Sequence, residues 1–391
     1  MERDDARTIG RRLRQIRNSR GKSLRVVAGL AGISKSQLSE FERGERALDR
    51  LSQIVALANA LRVAPSELTR LPLPAPANGD TDSAVEAIRR ALMAVSSKRP
   101  DGQVISIAEL RERVRMVWSV DYHSRGVALP SLIQDLHSSM AAGRQVAELL
   151  ELAVRVHSPI VGDWLSVAGA PVDLRWQADM LARQAAEDLG DPTLLGVVAW
   201  GAAGTILRSG AFDLARAELD SVIVPTNTSE DLQLGGMLAL RRALVAAADK
   251  RPGDMQAPLE HAAQVAERTG QGSAFGMGFG PVNVGLWHMA GALEAEDPDT
   301  AVRVAEGLRP QEHPMRERRA TYWMDYGRAL ARVRRRDDAV MALRRAEELL
   351  PMRVLRSPFA REVIAELVTH TRRDAVGREL RGMAYRAGLL V

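Results

Sequence analysis

The stretch from Ser23 to Gly44, SLRVVAGLAGISKSQLSEFERG, constrains the fold more tightly than any other part of the chain. Leu24, Val27 and Ala28, and then Leu38 and Phe41, recur at three- and four-residue spacings, which gives two short helices with one apolar face each. Ser23 and Ser34 stand where these helices begin, and a serine Oγ accepts hydrogen bonds from the free N–H groups of a first helical turn. Ala28 and Gly32 are small where the helices cross and the chain turns. Gly44 ends the second helix, because glycine enters the left-handed region without a Cβ penalty. Together these constraints predict a helix-turn-helix.

The flanks extend the pattern. Thr8 to Arg20 places Ile9, Leu13, Ile16 and Arg17 on one stripe, Leu51 to Leu61 does the same with Leu51, Ile54, Val55, Ala58 and Leu61, and Pro65 opens a short fifth helix. Five helices within residues 1–70 predict a compact DNA-binding domain. Charge agrees with this: residues 1–72 carry 15 Lys and Arg against 8 Asp and Glu, leaving 39 against 41 for the remainder. The net charge of +5 therefore resides on the segment with the helix-turn-helix, as expected for a polyanion partner.

The run IGRRLRQIRNSRGKSLRVVAGLAGISKSQLSEFERGERALDRLSQIVALANALRV resembles the Cro and phage-repressor type of helix-turn-helix, often called XRE-type. Its marks are Ala28, Gly32, Ser34, Leu38, the Glu42-Arg43-Gly44 run and the LxxIVxLAxAL helix. The resemblance implies that the second helix of the motif lies in the major groove of duplex DNA. By matching positions, Lys35, Ser36 and Glu40 would face base edges with Ser39 nearby, while Gln37, Arg43 and Arg46 would hold phosphates. The chemistry is compatible, since Lys donates to guanine O6 and N7 and Glu accepts from cytosine N4. Leu24 departs from the pattern, standing where many relatives carry a phosphate-binding Gln, so that clamp would fall to Ser23 or Arg25.

A chain of 391 residues exceeds one ordinary core. The run LPLPAPANGDTDS, residues 71–83, alternates Pro with small residues and predicts a semi-extended linker, with the second domain sharing no core with the first. Residues 84–391 show successive helical patterns without strand alternation, in Ala84–Val95, Ile107–Tyr122 and Ser131–Met140 among others. In Tyr322 to Pro351, Trp323, Tyr326, Gly327, Leu330, Ala339, Leu343, Ala346 and Pro351 fall at the spacings of a tetratricopeptide helix pair. Weaker copies lie upstream, with Ala215, Ala257, Ala301 and Ala339 recurring as anchors. The expected fold is all-α: a five-helix DNA-binding domain followed by an α-solenoid.

Stacked pairs of this kind form a concave surface lined by the first helix of each. The positions expected to face it are Trp200, Arg242, Asn283, Thr321, Met324 and Arg328. Trp287 is a further candidate, although Trp200, Trp287 and Trp323 are read first as core residues. Asn283 stands out because an amide offers a donor and an acceptor to a peptide backbone, and its other reading is a hydrogen bond between repeats. The glycines at 276, 278 and 280 precede Pro281 as a bent loop; no strand leads in and no Lys-Ser/Thr follows, so they form no phosphate loop.

Catalytic motifs are lacking. The chain has no cysteine, its seven histidines lack metal-ligand spacing, and neither a GxSxG elbow nor a P-loop occurs. No enzymatic activity, cofactor or metal is expected. The charged N-terminal run MERDDARTIGRR lacks the apolar core of a signal peptide, and the uncharged run Pro192–Leu207 is short for a membrane span. These features predict a cytoplasmic transcription factor. As a dimer it would read a pseudo-palindromic operator, with a peptide or small-molecule signal bound by the repeats. The combination of an XRE-type head with such repeats is similar to peptide-responsive quorum-sensing regulators and to regulators of actinobacteria. The alternative is an autoregulated DNA-binding scaffold whose repeats dock a protein partner.

Overall fold

The computed structural model describes residues 7–69, 79–370 and 374–389. Every regular element among them is helical; Gly272 and Phe279 form an isolated antiparallel bridge. The head comprises α1 (Ile9–Ser19), α2 (Leu24–Ala31), α3 (Lys35–Arg43), α4 (Leu51–Leu61) and α5 (Pro65–Thr69). Thr8, Ser23 and Ser34 cap α1, α2 and α3, and Gly32 and Gly44 end α2 and α3 with φ of 69° and 73°. The apolar stripes meet in one core that includes Ile9, Leu13, Val27, Leu38, Phe41, Ile54 and Leu61. Gly10 brings α1 against α3, since a Cβ there would run into the Phe41 carbonyl. Arg17 then ties the two helices by donating to Glu42 at 2.6 and 2.8 Å and to the Lys22 carbonyl at 2.9 Å.

The body begins with α6 (Gly79–Ser96), α7 (Ile107–Ser119), α8 (Tyr122–Ala141) and α9 (Val146–Arg155), followed by a π-helical turn over Val156–Gly162. Next come α10 (Asp163–Val167), α11 (Val172–Leu189), α12 (Pro192–Ser209), α13 (Phe212–Asp220), α14 (Ser229–Ala248) and α15 (Gln256–Thr269). The chain closes with α16 (Pro281–Glu294), α17 (Pro298–Glu306), α18 (Arg316–Arg332), α19 (Arg336–Leu349), α20 (Pro351–Leu355), α21 (Pro358–Thr369) and α22 (Ala375–Arg386). Helices α12, α14, α16 and α18 pack side by side in that order, and α13, α15, α17 and α19 each pack on the helix before them. This makes an all-α solenoid. Gly327 admits close packing in the last pair, where a Cβ would meet Leu343 and the Ala339 carbonyl.

Several expectations change in the body. Of the expected linker, residues 71–78 lie outside the described residues, and from Gly79 onward the chain is already α6. The Ile107–Tyr122 pattern splits, because Asp121 caps a new helix at Tyr122. Ala257 is exposed and the buried small residue of that unit is Ala262, because a 3₁₀ turn at Pro252–Met255 shifts the second helix along the chain.

Head and body are also joined more closely than a spacer implies. Leu51 and Val55 belong to the main body core, and Phe359 packs on the head core. Helix α4 has no side-chain cap of its own. The Glu294 carboxylate of α16 instead accepts from Leu51 N at 3.1 and 3.2 Å, a favourable place for negative charge at a helix N-terminus. Glu362 of α21 accepts from Ile9 N, at the start of α1, and from Leu48 N, and Glu366 accepts from Ala47 N at 2.8 Å. Asp49 is 1% exposed and pairs with Arg328 (3.3 Å) and Arg332 of α18. Those two arginines also donate to the carbonyls of Asp49 and Ala47. Burial pushes the Asp49 carboxyl up, but the Arg332 and Arg328 guanidiniums outweigh it and hold it below its ordinary value. Such a network adds little net stability over apolar packing, yet removing one partner costs about 3–5 kcal/mol, so it selects a single docking register.

Glu362 makes the docking pH-dependent. Burial, with the nearby charge of Asp49, lifts its carboxyl from the ordinary 4.5 to about 7. A carboxyl raised on folding is protonated in the folded chain while the unfolded chain has lost its proton, so its contribution is full below about pH 4.5 and falls as pH rises to about 7. Urea denaturation of the wild type should lose up to about 3 kcal/mol across that window from this group. Glu362→Gln should flatten the profile, and identical profiles would show that Glu362 does not titrate there.

Candidate functional sites

Helix α3 turns Leu38, Phe41 and Glu42 into the head and leaves Ser34, Lys35, Ser36 and Arg43 exposed, with Gln37, Ser39 and Glu40 half-buried. The period of the helix thus sets Lys35, Ser36, Ser39, Glu40 and Arg43 on its outer side. Ser23 Oγ accepts from Val26 N at 3.3 Å and Ser34 Oγ from Gln37 N at 3.0 Å, so both serines are helix caps. The side chains of Lys35 and Glu40 make no hydrogen bond or ion pair among the described residues, and Lys35 is exposed. Arg43 is already engaged: its guanidinium grips Glu45 at 2.7 and 2.6 Å and donates to Ser39 Oγ at 2.5 Å. Arg46 lies 5.7 Å from the centroid of the Phe41 ring, and Arg25 is exposed on α2. None of the docking contacts made by Ile9 and Ala47–Leu51 uses the outer side of α3.

Residues 8–71 match the family model described as a helix-turn-helix domain. No curated protein and no solved structure gives a significant match to the chain. The helix-turn-helix domain makes this a DNA-binding regulator. Among the described residues no helix is long and apolar enough to cross a membrane, and no cluster of three or more His, Asp or Glu side chains is placed to hold a metal ion.

A second site lies in the body, a cavity of about 200 Å3 between the π-helical turn and helices α11, α12, α14, α16 and α18. A π-helical turn inside a helical run is itself frequent at functional sites, and here it contributes Ser158 and Pro159. Of the expected groove residues, Trp200, Trp287 and Thr321 line the cavity. Asn283 is fully buried behind it, donating to the Gly278 carbonyl at 2.9 Å and accepting from Arg318 at 3.0 and 2.6 Å. It positions a lining residue. The remaining three expectations are corrected. Arg242 is tied to Asp220 and the Leu219 carbonyl at the end of α13, Met324 is buried in the core around α19, and Arg328 holds Asp49 of the head. Each helical residue turns the side chain by about 100°, so the cavity sees Arg241 rather than Arg242, and Arg318, Thr321 and Asp325 rather than Met324 and Arg328.

The cavity walls carry Arg175, Arg208, Arg241, Arg318 and Arg353 against Asp163, Glu317 and Asp325. Five guanidiniums stand against three carboxyls, one of which, Asp325, is paired with Arg328 at 2.8 Å, so positive charge is in excess. Burial and the neighbouring Arg175 and Arg353 push Arg208 down to about 9, and burial with Arg353 pushes Arg318 down to about 10. Gly204 makes room for Arg241, since a Cβ would stand 3.0 Å from its guanidinium carbon. The sequence signal for this site was the arginine pair inside the otherwise apolar run GGMLALRRALVAAA of α14, with glycines in the α12 run WGAAG.

For the nucleic-acid interface, the Arg43–Glu45 pair yields a test. A phosphate must displace Glu45 to reach Arg43, so Glu45→Gln is expected to tighten binding to any duplex by about two- to fivefold. Anisotropy titrations over a salt series measure this, and unchanged affinity would mean that Arg43 stays away from the DNA backbone.

Proposed function

We propose that the chain is a signal-responsive transcriptional regulator in which the helical body sets the position of the helix-turn-helix domain on DNA. In this reading two copies associate and place their α3 helices in successive major grooves of a pseudo-palindromic operator. Lys35, Ser36 and Glu40 contact base edges, with Ser39 beside them, and Gln37, Arg43, Arg46 and Arg25 contact phosphates. The signal, a peptide or small molecule, occupies the body.

The observation that carries this reading is that α18 belongs to both parts of the machine. Its Arg318, Thr321 and Asp325 wall the cavity, while Arg328 and Arg332, one to two turns on, clamp Asp49 of the head. Asp325 touches Arg328 directly, so a change in the cavity is one ion pair away from the clamp. A differential affinity of a few kcal/mol between two head positions suffices to change operator occupancy. The charged cavity between the helices favours a bound signal over the alternative of a protein docked on the repeats.

Two experiments test the reading. Lys35→Ala should relax base preference at one operator position, at a cost of about 1–3 kcal/mol on the preferred base. Arg43→Ala should weaken binding to all sequences and lower the salt slope by about 1. Equal losses on specific and random DNA for both variants would withdraw the base contact from Lys35. For the clamp, wild-type protein should discriminate sharply among operators whose half-sites are moved apart by one or two base pairs. Asp49→Asn should tolerate them, and a wild type that tolerates every spacing would show that the body does not fix the heads.

A further inference from the structure

Arg241 is 7% exposed and makes no hydrogen bond or ion pair among the described residues. Its guanidinium lies between two indoles, 4.3 Å from the ring centroid of Trp200 and 4.7 Å from that of Trp287. The indoles attract its faces through their ring quadrupoles, but they leave its N–H edge without an acceptor. A buried cation with unmade hydrogen bonds is destabilising. The donors around it are in the same condition. Trp200 Nε1, Trp287 Nε1, Arg353 Nε and Ser158 Oγ are buried without partners, and all four residues line the same cavity. Arg318 lies 5.8 Å from the Trp287 ring centroid, held in place by Asn283. A site that collects unsatisfied donors and excess positive charge is complementary to an anion. The aromatic faces that would recognise a cation are already occupied by Arg241.

The rest of the lining sets the shape of the guest. Met237, Leu244, Met277, Leu286 and Met315 supply apolar, adaptable surface beside the arginines. An engineered cavity of about 150 Å3 holds benzene, so about 200 Å3 suits one ring or its equivalent carrying one acid group.

We propose that this cavity is the binding site for a small organic acid, its carboxylate or phosphate held by Arg241 and Arg318 and its flat apolar body lodged among the methionines beside Trp200 and Trp287. The proposal rests on the sensor reading above and narrows its signal from a peptide or small molecule to this class. Acid binding supplies the acceptor that Arg241 lacks. It also alters the field at Asp325, which faces the same cavity and pairs with the clamp residue Arg328.

The test uses the full chain with phenylacetate, phenyl phosphate and the neutral isostere phenylacetamide, followed by tryptophan fluorescence and calorimetry. Saturable binding of at least one acid is expected, tighter than phenylacetamide by about tenfold or more, as charge-assisted hydrogen bonds imply. Which acid binds separates carboxylate from phosphate recognition. Arg241→Met should abolish that preference while melting no lower than the wild type, since an unpaired buried charge has been removed. If that variant fails to fold, Arg318→Met serves with the same readout. Binding of neither acid, equal binding of the amide, or an unaltered Arg241→Met overturns the site. Operator affinity measured alongside separates this from the sensor reading. Arg241-dependent acid binding that leaves operator affinity unchanged keeps the site and removes the sensor. An operator response to culture extract that persists in Arg241→Met keeps the sensor and removes the site.

Discussion

The buried carboxylate of Asp49, gripped by Arg328 and Arg332, decides where the DNA-reading part of this protein stands relative to its body. Charges taken out of water are costly unless every partner is in place, so a network of this kind tolerates one geometry and penalises near misses. The surrounding contacts share that character. Carboxylates from α16 and α21 meet backbone N–H groups of the head at Leu51, Ile9 and Leu48, which fixes direction as well as distance. Apolar contacts through Leu51, Val55 and Phe359 add attraction without comparable directionality.

Helix α18 converts that clamp into something that can be addressed. A helix is stiff along its length, and successive turns of one face can serve different neighbours. Arg318, Thr321 and Asp325 face the arginine-rich cavity, and Arg328 and Arg332, further along the same stripe, face the head. The two stretches are joined by the Asp325–Arg328 pair at 2.8 Å.

The head was legible in the sequence because its determinants are local. Caps at Ser23 and Ser34, left-handed glycines at 32 and 44 and apolar residues at helical spacing all act within a few residues of one another. In the body the pair around Gly327 and Ala339 was readable for the same reason, whereas the 3₁₀ turn before α15 displaced the buried alanine from 257 to 262. The cavity was legible only in part. The indoles of Trp200 and Trp287 announce themselves, but an error of one residue in helical phase exchanges Arg241 for Arg242. Docking of head on body was illegible, because its partners stand 243 to 353 residues apart and no local periodicity reports on them.

The bare N-terminus of α4 has a consequence for how such proteins diversify. Its first N–H groups are answered by Glu294, a residue of the body. The boundary that composition draws near residue 70 is therefore not a boundary of self-sufficiency. A reading head of this build cannot be exchanged between proteins as an independent cassette unless the recipient supplies acceptors at the same places. Divergence in operator preference is then channelled to the outer side of α3, where side chains can change without disturbing the seam beneath.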